Sequence, residues 1–342
     1  MAPQVFVAPQ IFAVQLGSTG DILHATPLFR AIRAQLPGVR LAVVTRRRHV
    51  PLLADNPRID EVIGLGAGDS LLQVAKRMRA AGRGVRLDLD GGPRARLLRL
   101  LAPGRWHVAP QHRLAREILI RTKQNRYPDD LPRAERYFDA ARTLGLEPDG
   151  GPTELFVGPD ADAQAVEWLS QAGLGRERPF VAFAPGGSKL TKRWAPEHWI
   201  TLVRRVVATG ADAVLVGGPE DTAIAAEVAA RSSSRAINAA GALGLLATAA
   251  VLKRAAALVT GQTAAMHMAA ALGTPLVALI GPTVRAFGLY PYNARRATVL
   301  ERNLPCRPCS ADGGMACPLG HNSCLDELRP ETVFSALCRT LA

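Results

Sequence analysis

Short apolar runs, each passing through a turn into a stretch of helical periodicity, recur along almost the whole chain. This alternation constrains the fold more than any other feature. Ile11-Phe-Ala-Val-Gln-Leu16 precedes Gly17-Ser-Thr-Gly-Asp21, and a helical pattern then runs from Ile22 to Leu36, stopping at Pro37-Gly38. Apolar runs at 41–45, 60–65 and 84–89 are interleaved with helical stretches near 50–54, over 71–81 and over 94–101. In the second half, runs at 180–183, 212–216, 236–238, 257–260 and 275–280 alternate with helical patterns at 196–209, 222–230, 243–255 and 264–272. An amphipathic helix over 330–341 closes the chain. Strands that alternate with helices predict parallel sheets covered on both faces, an α/β protein.

A chain of 342 residues is long for a single core, so two domains are expected. The loosest stretches, Pro148–Pro152 and Gly158–Asp162, put the junction near residue 160. The expected division is 1–160, 161–328 and a closing helix over 329–342. A helix over 161–172 opens the second domain. Residues 112–136 read as polar and irregular, with a helix over 133–144 after them. Hydrophobic residues make up 48% and charged residues 21%, which excludes a disordered chain. No uncharged apolar run approaches the ~18 residues of a membrane span. Met1 to Val14 contains no Lys or Arg, unlike the start of a secretory signal, so a cytoplasmic protein is expected.

The formal net charge of +13 is unevenly spread. Residues 76–126 hold 14 Lys or Arg against 3 Asp or Glu, an excess of 11; the whole of 161–342 has 18 against 13, an excess of 5. Such a patch implies an anionic partner: nucleic acid, a phosphorylated glycan or an anionic membrane. Nucleic acid is disfavoured, because Trp106 is the stretch's one Trp and no aromatics are interleaved for base stacking. The bland alternative is a solvated Arg-rich helix surface.

Phe183-Ala-Pro-Gly-Gly-Ser-Lys-Leu-Thr-Lys-Arg-Trp194 is the stretch richest in chemistry. Gly186 and Gly187 let the backbone turn sharply and approach a ligand. Ser188, Thr191, Lys189, Lys192 and Arg193 put hydroxyls and positive charge at the mouth of the preceding strand, and Pro196 opens a helix. This is a plausible seat for phosphate oxygens, though not a P-loop, since G-x-x-x-x-G-K-[ST] is absent. A solvated basic turn is the alternative.

Four ordered segments give the chain a specific resemblance. Leu16-Gly-Ser-Thr-Gly-Asp-Ile-Leu-His-Ala-Thr-Pro-Leu28 resembles the S-x-G-D-x-x-x-x-x-P opening of the ADP-heptose:lipopolysaccharide heptosyltransferases, glycosyltransferase family 9. Pro185-Gly-Gly-Ser188 with Thr191-Lys-Arg-Trp194 resembles their PGAS…KRW loop. Val216-Gly-Gly-Pro-Glu220 matches a Gly-Gly-x-Glu segment of many members. Gly261-Gln-Thr-Ala-Ala-Met-His-Met-Ala-Ala-Ala-Leu-Gly-Thr-Pro275 resembles G-N-D-T-G-x-x-H-x-A-A-A-L-G-x-P. The resemblance implies a GT-B fold, two doubly wound Rossmann-like domains facing across a cleft. It further implies an inverting, metal-independent transfer of heptose or a related sugar, with no cofactor. The acceptor, an anionic glycan or glycolipid, would meet the first domain, with Gly20, Arg46 and Arg94 as candidate contacts. The nucleotide-sugar, an ADP-sugar by preference, would meet the second. The basic stretch would meet acceptor phosphates or the inner membrane surface.

An inverting transfer needs a base for the acceptor hydroxyl. Asp21 suits this role, and equally suits capping of the helix it precedes. The departing nucleoside diphosphate would be met by Lys192, Ser188 and the amides of Thr263, Ala264 and Ala265 at a helix N-terminus. Gly186, Gly187 and Thr191 would complete the donor site. Glu220 could accept from ribose hydroxyls or stabilise a first helical turn. His267 lies in the next helix, as a satisfied buried ring or a donor contact. Asp88-Leu-Asp90 has the spacing of a D-x-D metal motif but sits at a strand end in the first domain. The segment at 261–265 departs from the family pattern: Gln262 replaces the Asp of D-T-G and Ala264 its Gly. A neutral amide can still donate and accept hydrogen bonds, so the departure bears chiefly on the donor sugar. An impaired nucleotide- or glycan-binding module is the reading from another class. A dinucleotide oxidoreductase is disfavoured, since no strand leads into G-x-G-x-x-G. Cys306, Cys309, Cys317 and Cys324, with His321 nearby, have ligand chemistry for zinc or iron–sulfur, but their spacing lacks a second C-x2-C.

Overall fold

In the computed structural model, which describes residues 10–82, 84–174 and 178–342, the apolar runs become strands that pair in parallel. Most of the uncharged N-terminal stretch, and Arg83 of the basic stretch, lie outside the described residues. The chain divides into two compact units, one comprising residues to His112 with Asp129–Phe156, the other Arg113–Pro128 with Val157–Ala342.

The first unit follows the order β1 (Gln10–Val14), α1 (Thr19–His24), α2 (Thr26–Gln35), β2 (Arg40–Arg46), α3 (Pro51–Ala54), β3 (Glu61–Leu65), α4 (Leu71–Ala80), β4 (Val85–Asp88), α5 (Pro93–Leu101) and β5 (Trp106–Val108). Its sheet has the order β3-β2-β1-β4-β5. The expected single helix from Ile22 to Leu36 is instead two, broken at Ala25. Pro27 lies in the first turn of α2 and offers no amide to continue a helix from α1. The Thr26 hydroxyl donates to Leu23 O at 2.7 Å, closing the break.

Residues 112–136, expected to be irregular, contain α6 (Arg113–Thr122). Its apolar spacing, Leu114/Ile118 and Ala115/Leu119, is short and set among arginines, which hides it from a periodicity reading. α6 groups with the second unit, where Lys123 Nζ donates to Pro308 O at 2.7 Å and Tyr127 packs on Phe287 at 6.4 Å. The chain then returns to the first unit through α7 (Arg133–Arg136) and a 3-10 turn at Tyr137–Leu144. The basic stretch is therefore divided between the two units at residue 113.

The second unit continues with α8 (Pro159–Gln171), β6 (Phe180–Ala184), α9 (Pro196–Ala208), β7 (Asp212–Leu215), α10 (Thr222–Ser232), β8 (Ala236–Asn238), α11 (Leu245–Arg254), β9 (Ala257–Gly261), α12 (Ala264–Leu272), β10 (Leu276–Ile280), β11 (Ala297–Glu301), α13 (Ser323–Asp326) and α14 (Pro330–Leu341). Its sheet has the order β11-β10-β9-β6-β7-β8. Trp194 and Trp199 pack edge to face at 5.0 Å in a core that Val203, Leu215, Val259 and Leu325 share. The Trp194 indole N–H donates to Leu328 O at 2.9 Å, so this large ring is buried without an orphaned donor.

Both sheets have a point where the winding reverses. It lies between β1 and β4 in the first and between β6 and β9 in the second. In open parallel sheets, ligands bind at the carboxyl ends of the strands flanking that point. The registers Val14↔Asp88 and Ala184↔Thr260 bring the following loops side by side: Leu16–Asp21 with Asp88–Gly92, and Pro185–Lys192 with Gly261–Ala265. These four loops contain most of the candidate residues.

Candidate functional site

At the β1–β4 reversal, Ser18 caps α1. Its hydroxyl accepts from Asp21 N at 3.3 Å and donates to Asp21 Oδ2 at 2.7 Å; Ser18 N donates to the same Oδ2 at 2.9 Å. Asp21 is thus the acidic partner of a capping box at the third position of the helix. Its other oxygen, Oδ1, lies 3.1 Å from Arg133 Nη1 and accepts from the Tyr137 hydroxyl at 3.4 Å. Gln15 Nε2 holds that hydroxyl at 2.9 Å. Burial alone would raise the Asp21 pKa, but the Arg133 guanidinium and the Ser18 donors outweigh it and hold the carboxyl below its ordinary range. Burial, then the Asp21 charge, push the Tyr137 hydroxyl upward, so it stays a donor. Asp21 is therefore not the lone carboxylate that the glycine turn suggests. It is oriented on both oxygens, which fixes its direction and its ionised state at the expense of basicity. Gly20 is buried inside α1.

Arg46 and Arg94 open on one cavity of about 710 Å³, together with Leu16, Arg47, Arg48 and Asp90. Arg46 Nε donates to Leu16 O, Arg94 Nη1 to Gly66 O at 2.9 Å, and Arg47 pairs with Asp69 at 2.6 Å. Arg48 has no protein partner among the described residues. Burial, then the neighbouring Asp88 and Asp21 carboxylates, push the Asp90 carboxyl upward. Four guanidiniums against one weakened acid suit an anion, and the acid suits a hydroxyl. Asp88 of the D-x-D spacing is fully buried and spends Oδ1 on the amides of Asp90 (3.1 Å) and Gly91 (2.7 Å). It builds the turn.

At the β6–β9 reversal, Gly186 is required because a Cβ there would overlap the Asp221 carboxylate. Asp221 Oδ1 accepts from Gly187 N at 3.0 Å and Oδ2 from Gly218 N at 3.2 Å, so one buried carboxylate ties two glycine turns. Arg193 Nε donates to Gly187 O at 2.7 Å from the other side. A Cβ on Gly261 would come within 2.8 Å of Lys192 O, so the third loop is pressed against the same turn. Lys192 is 8% exposed, and its ammonium pairs with Asp312. Thr263 adopts the extended N-cap conformation of α12, but its hydroxyl bonds Thr260 Oγ1 at 2.9 Å instead of capping. The first-turn amides of Ala264 and Ala265 thus remain without an intrahelical acceptor. A buried ammonium, unfilled helix amides and a close-approach glycine turn suit a diphosphate.

Other expected donor contacts are engaged differently. Thr191 Oγ1 accepts from Gly314 N at 2.8 Å and its amide donates to Gly314 O at 3.1 Å, fastening the loop that contains Asp312. Gln262 is 8% exposed; Nε2 donates to Leu289 O at 3.1 Å and Oε1 accepts from Thr283 Oγ1 at 2.8 Å. Its amide is thus tied to the loop after β10. Ser188 and Glu220 are exposed, Glu220 folded over Gly218, and His267 is buried in α12. Cys324 is buried and Cys306, Cys309 and Cys317 are half-buried. Among the described residues no group of three or more His, Cys, Asp or Glu is gathered to hold a metal ion.

Sequence reasoning missed Arg133, Tyr137, Asp221 and Asp312, and noted Asp90 only as part of a D-x-D spacing. Asp221 had a signal: two glycine turns, Gly186-Gly187 and Gly217-Gly218, both need an acceptor, and an acid follows the second. Arg133, Tyr137 and Asp312 had none, because each reaches its partner from more than 100 residues away.

Residues 73–318 match glycosyltransferase family 9 (heptosyltransferase). The chain is 28% identical over 284 residues to lipopolysaccharide heptosyltransferase 2 of Salmonella typhimurium, which covers 77% of this chain and 80% of that protein. A glycosyl transferase family 9 structure from Veillonella parvula superposes with a TM-score of 0.81 at 23% identity, covering 98% of this chain and 97% of its own. E. coli ADP-heptose LPS heptosyltransferase II gives 0.74 at 24% identity, covering 97% and 98%. Both structural likenesses are of fold.

Proposed function

Because the chain belongs to glycosyltransferase family 9, and is a glycosyltransferase of GT-B fold built from two Rossmann-like domains, we propose that it transfers heptose from an ADP-heptose to an anionic lipopolysaccharide-core acceptor, with inversion and without a metal. The observation that most supports this is the pairing of chemistries at the two sheet reversals. An oriented carboxylate beside a guanidinium-lined cavity belongs to one unit, and a buried ammonium beside open helix amides belongs to the other.

In this reading the acceptor's anionic groups enter the first unit's cavity and meet Arg46, Arg48 and Arg94. Asp90 accepts from one of its hydroxyls. Asp21 Oδ1 takes the proton of the attacking hydroxyl as that oxygen bonds to the anomeric carbon. The carbon's bond to the phosphate oxygen breaks on the opposite side. The electron pair leaves with ADP, whose charge Lys192 and the amides of Ala264 and Ala265 compensate. Arg133 keeps Asp21 ionised until the proton arrives. Lys192 exchanges its internal partner, Asp312, for the diphosphate. Gly186, Gly187 and Thr263 allow the diphosphate to come close.

One observation favours a second reading of the donor. With both ends of the Gln262 amide engaged within the protein, the usual acidic contact to the donor is missing, as it would be for a different nucleotide-sugar. Calorimetric titration with ADP, GDP and UDP, without added metal, separates the readings. A preference for ADP is expected. A preference for GDP or UDP would move the donor, and no binding of any of them would overturn the second-unit site.

A further inference from the structure

Helices α4 and α5 pack side by side on one face of the first sheet, sending Val74, Ala75, Met78, Ala95 and Leu98 into its core. Their outward side has an unusual composition. Leu72 is 51% exposed, Leu97 45% and Leu100 79%. Leu97 and Leu100 are three residues apart and so neighbours on one helix face. Neither helix contains an Asp or Glu, while together they hold six Lys or Arg. Four of these six are engaged: Arg77 with Glu61, Arg79 with Leu101 O, Arg94 with Gly66 O and Arg99 with Asp88. Lys76 and Arg96 are exposed and have no protein partner among the described residues.

A solvated helix face ordinarily mixes both signs of charge and keeps large apolar residues few. A helix face lying on a bilayer does the opposite, pairing exposed leucines with unopposed basic residues. No helix among the described residues is long and apolar enough to cross a membrane, so any attachment through this face is to the surface. We propose that the outward face of α4 and α5 docks on an anionic phospholipid bilayer. Leu72, Leu97 and Leu100 enter the acyl boundary, and Lys76 and Arg96 meet lipid phosphates. The position has a consequence that rests on the proposed acceptor. Pro93 and Arg94 line the cavity at the start of α5, and Leu97 lies one turn beyond Pro93. A glycolipid whose anionic head enters the cavity could keep its lipid in the bilayer that α5 touches.

Sedimentation of the full chain with vesicles tests the docking without reference to catalysis. The vesicles are phosphatidylglycerol mixed with phosphatidylethanolamine, or phosphatidylcholine alone. Binding to the anionic vesicles and not to phosphatidylcholine is expected, weakening with salt. Leu97→Gln with Leu100→Gln should lose binding by about ten-fold or more. Lys76→Gln with Arg96→Gln should lose about five-fold per residue. Circular dichroism of each variant establishes that the fold is kept. Absence of wild-type binding, or unchanged binding by the leucine variant, would overturn the proposal. So would a wild-type dimer that the leucine variant turns into a monomer, since a second copy would then cover the face. Transfer to a water-soluble, delipidated acceptor should be the same in the leucine variant and the wild type. Loss of that transfer with vesicle binding intact would contradict the docking role. Failure of both proteins to transfer heptose would count against the proposed reaction and leave the vesicle result standing.

Discussion

Asp21 spends one carboxylate oxygen on Ser18 and turns the other to Arg133 and Tyr137. A general base wants affinity for the proton, and the Arg133 charge works against that. What the arrangement gains is a fixed direction and an ionised state over the whole neutral range. The sign of the pH dependence follows. With its pKa depressed, Asp21 stays ionised until the pH falls below the usual carboxylate range, so activity should hold on the acid side to that point. Arg133→Gln removes the principal lowering influence and leaves burial, which raises the pKa, opposed only by the Ser18 donors and the weaker effect of His24. The acid limb of the kcat/KM profile should therefore move to higher pH, with little change near pH 8. A limb that does not move would mean that Arg133 does not govern the protonation of the catalytic carboxyl.

At the scale of elements, the turn after β6 joins folding to chemistry. Gly186 is in contact with Asp221, and Asp221 ties the Gly187 and Gly218 amides together. Gly186→Ala forces that buried carboxylate aside, an overpacking cost of about 1–3 kcal/mol. Thermal unfolding should begin several degrees lower, at about 2–4 °C per kcal/mol for a domain of this size, and ADP should bind more weakly. Unchanged stability and affinity would mean that the turn is free to rearrange. This turn was legible in the sequence, as were β1, β6, β9 and the start of α12, because buried parallel strands read as continuous apolar runs and glycines mark their ends. Elements defined by few contacts were not legible. β5 and β11 are edge strands whose residues are only partly buried, and α6 is short and rich in arginine. Nor did the local sequence disclose that Lys192 would be met by Asp312 or Gln262 held by Thr283. Both contacts depend on where loops from distant parts of the chain come to rest.

At the scale of the molecule, two sheets each reverse their winding once, and each reversal gathers a different kind of charge chemistry. The first gathers guanidiniums around two acids, Asp21 and Asp90; the second gathers an ammonium, glycine turns and free helix amides. This separation is what a transferase needs, because its two substrates must be recognised independently before one reaction joins them. In the proposed reaction Asp21 removes the acceptor proton while the second unit alone binds the donor. The decisive comparison is wild type against Asp21→Asn in two readouts, heptose transfer from ADP-heptose and calorimetric affinity for ADP. Turnover should fall by about 100–10,000-fold, with ADP affinity unchanged. Equal turnover in the two proteins, or a parallel loss of ADP binding, would rule out this division of roles.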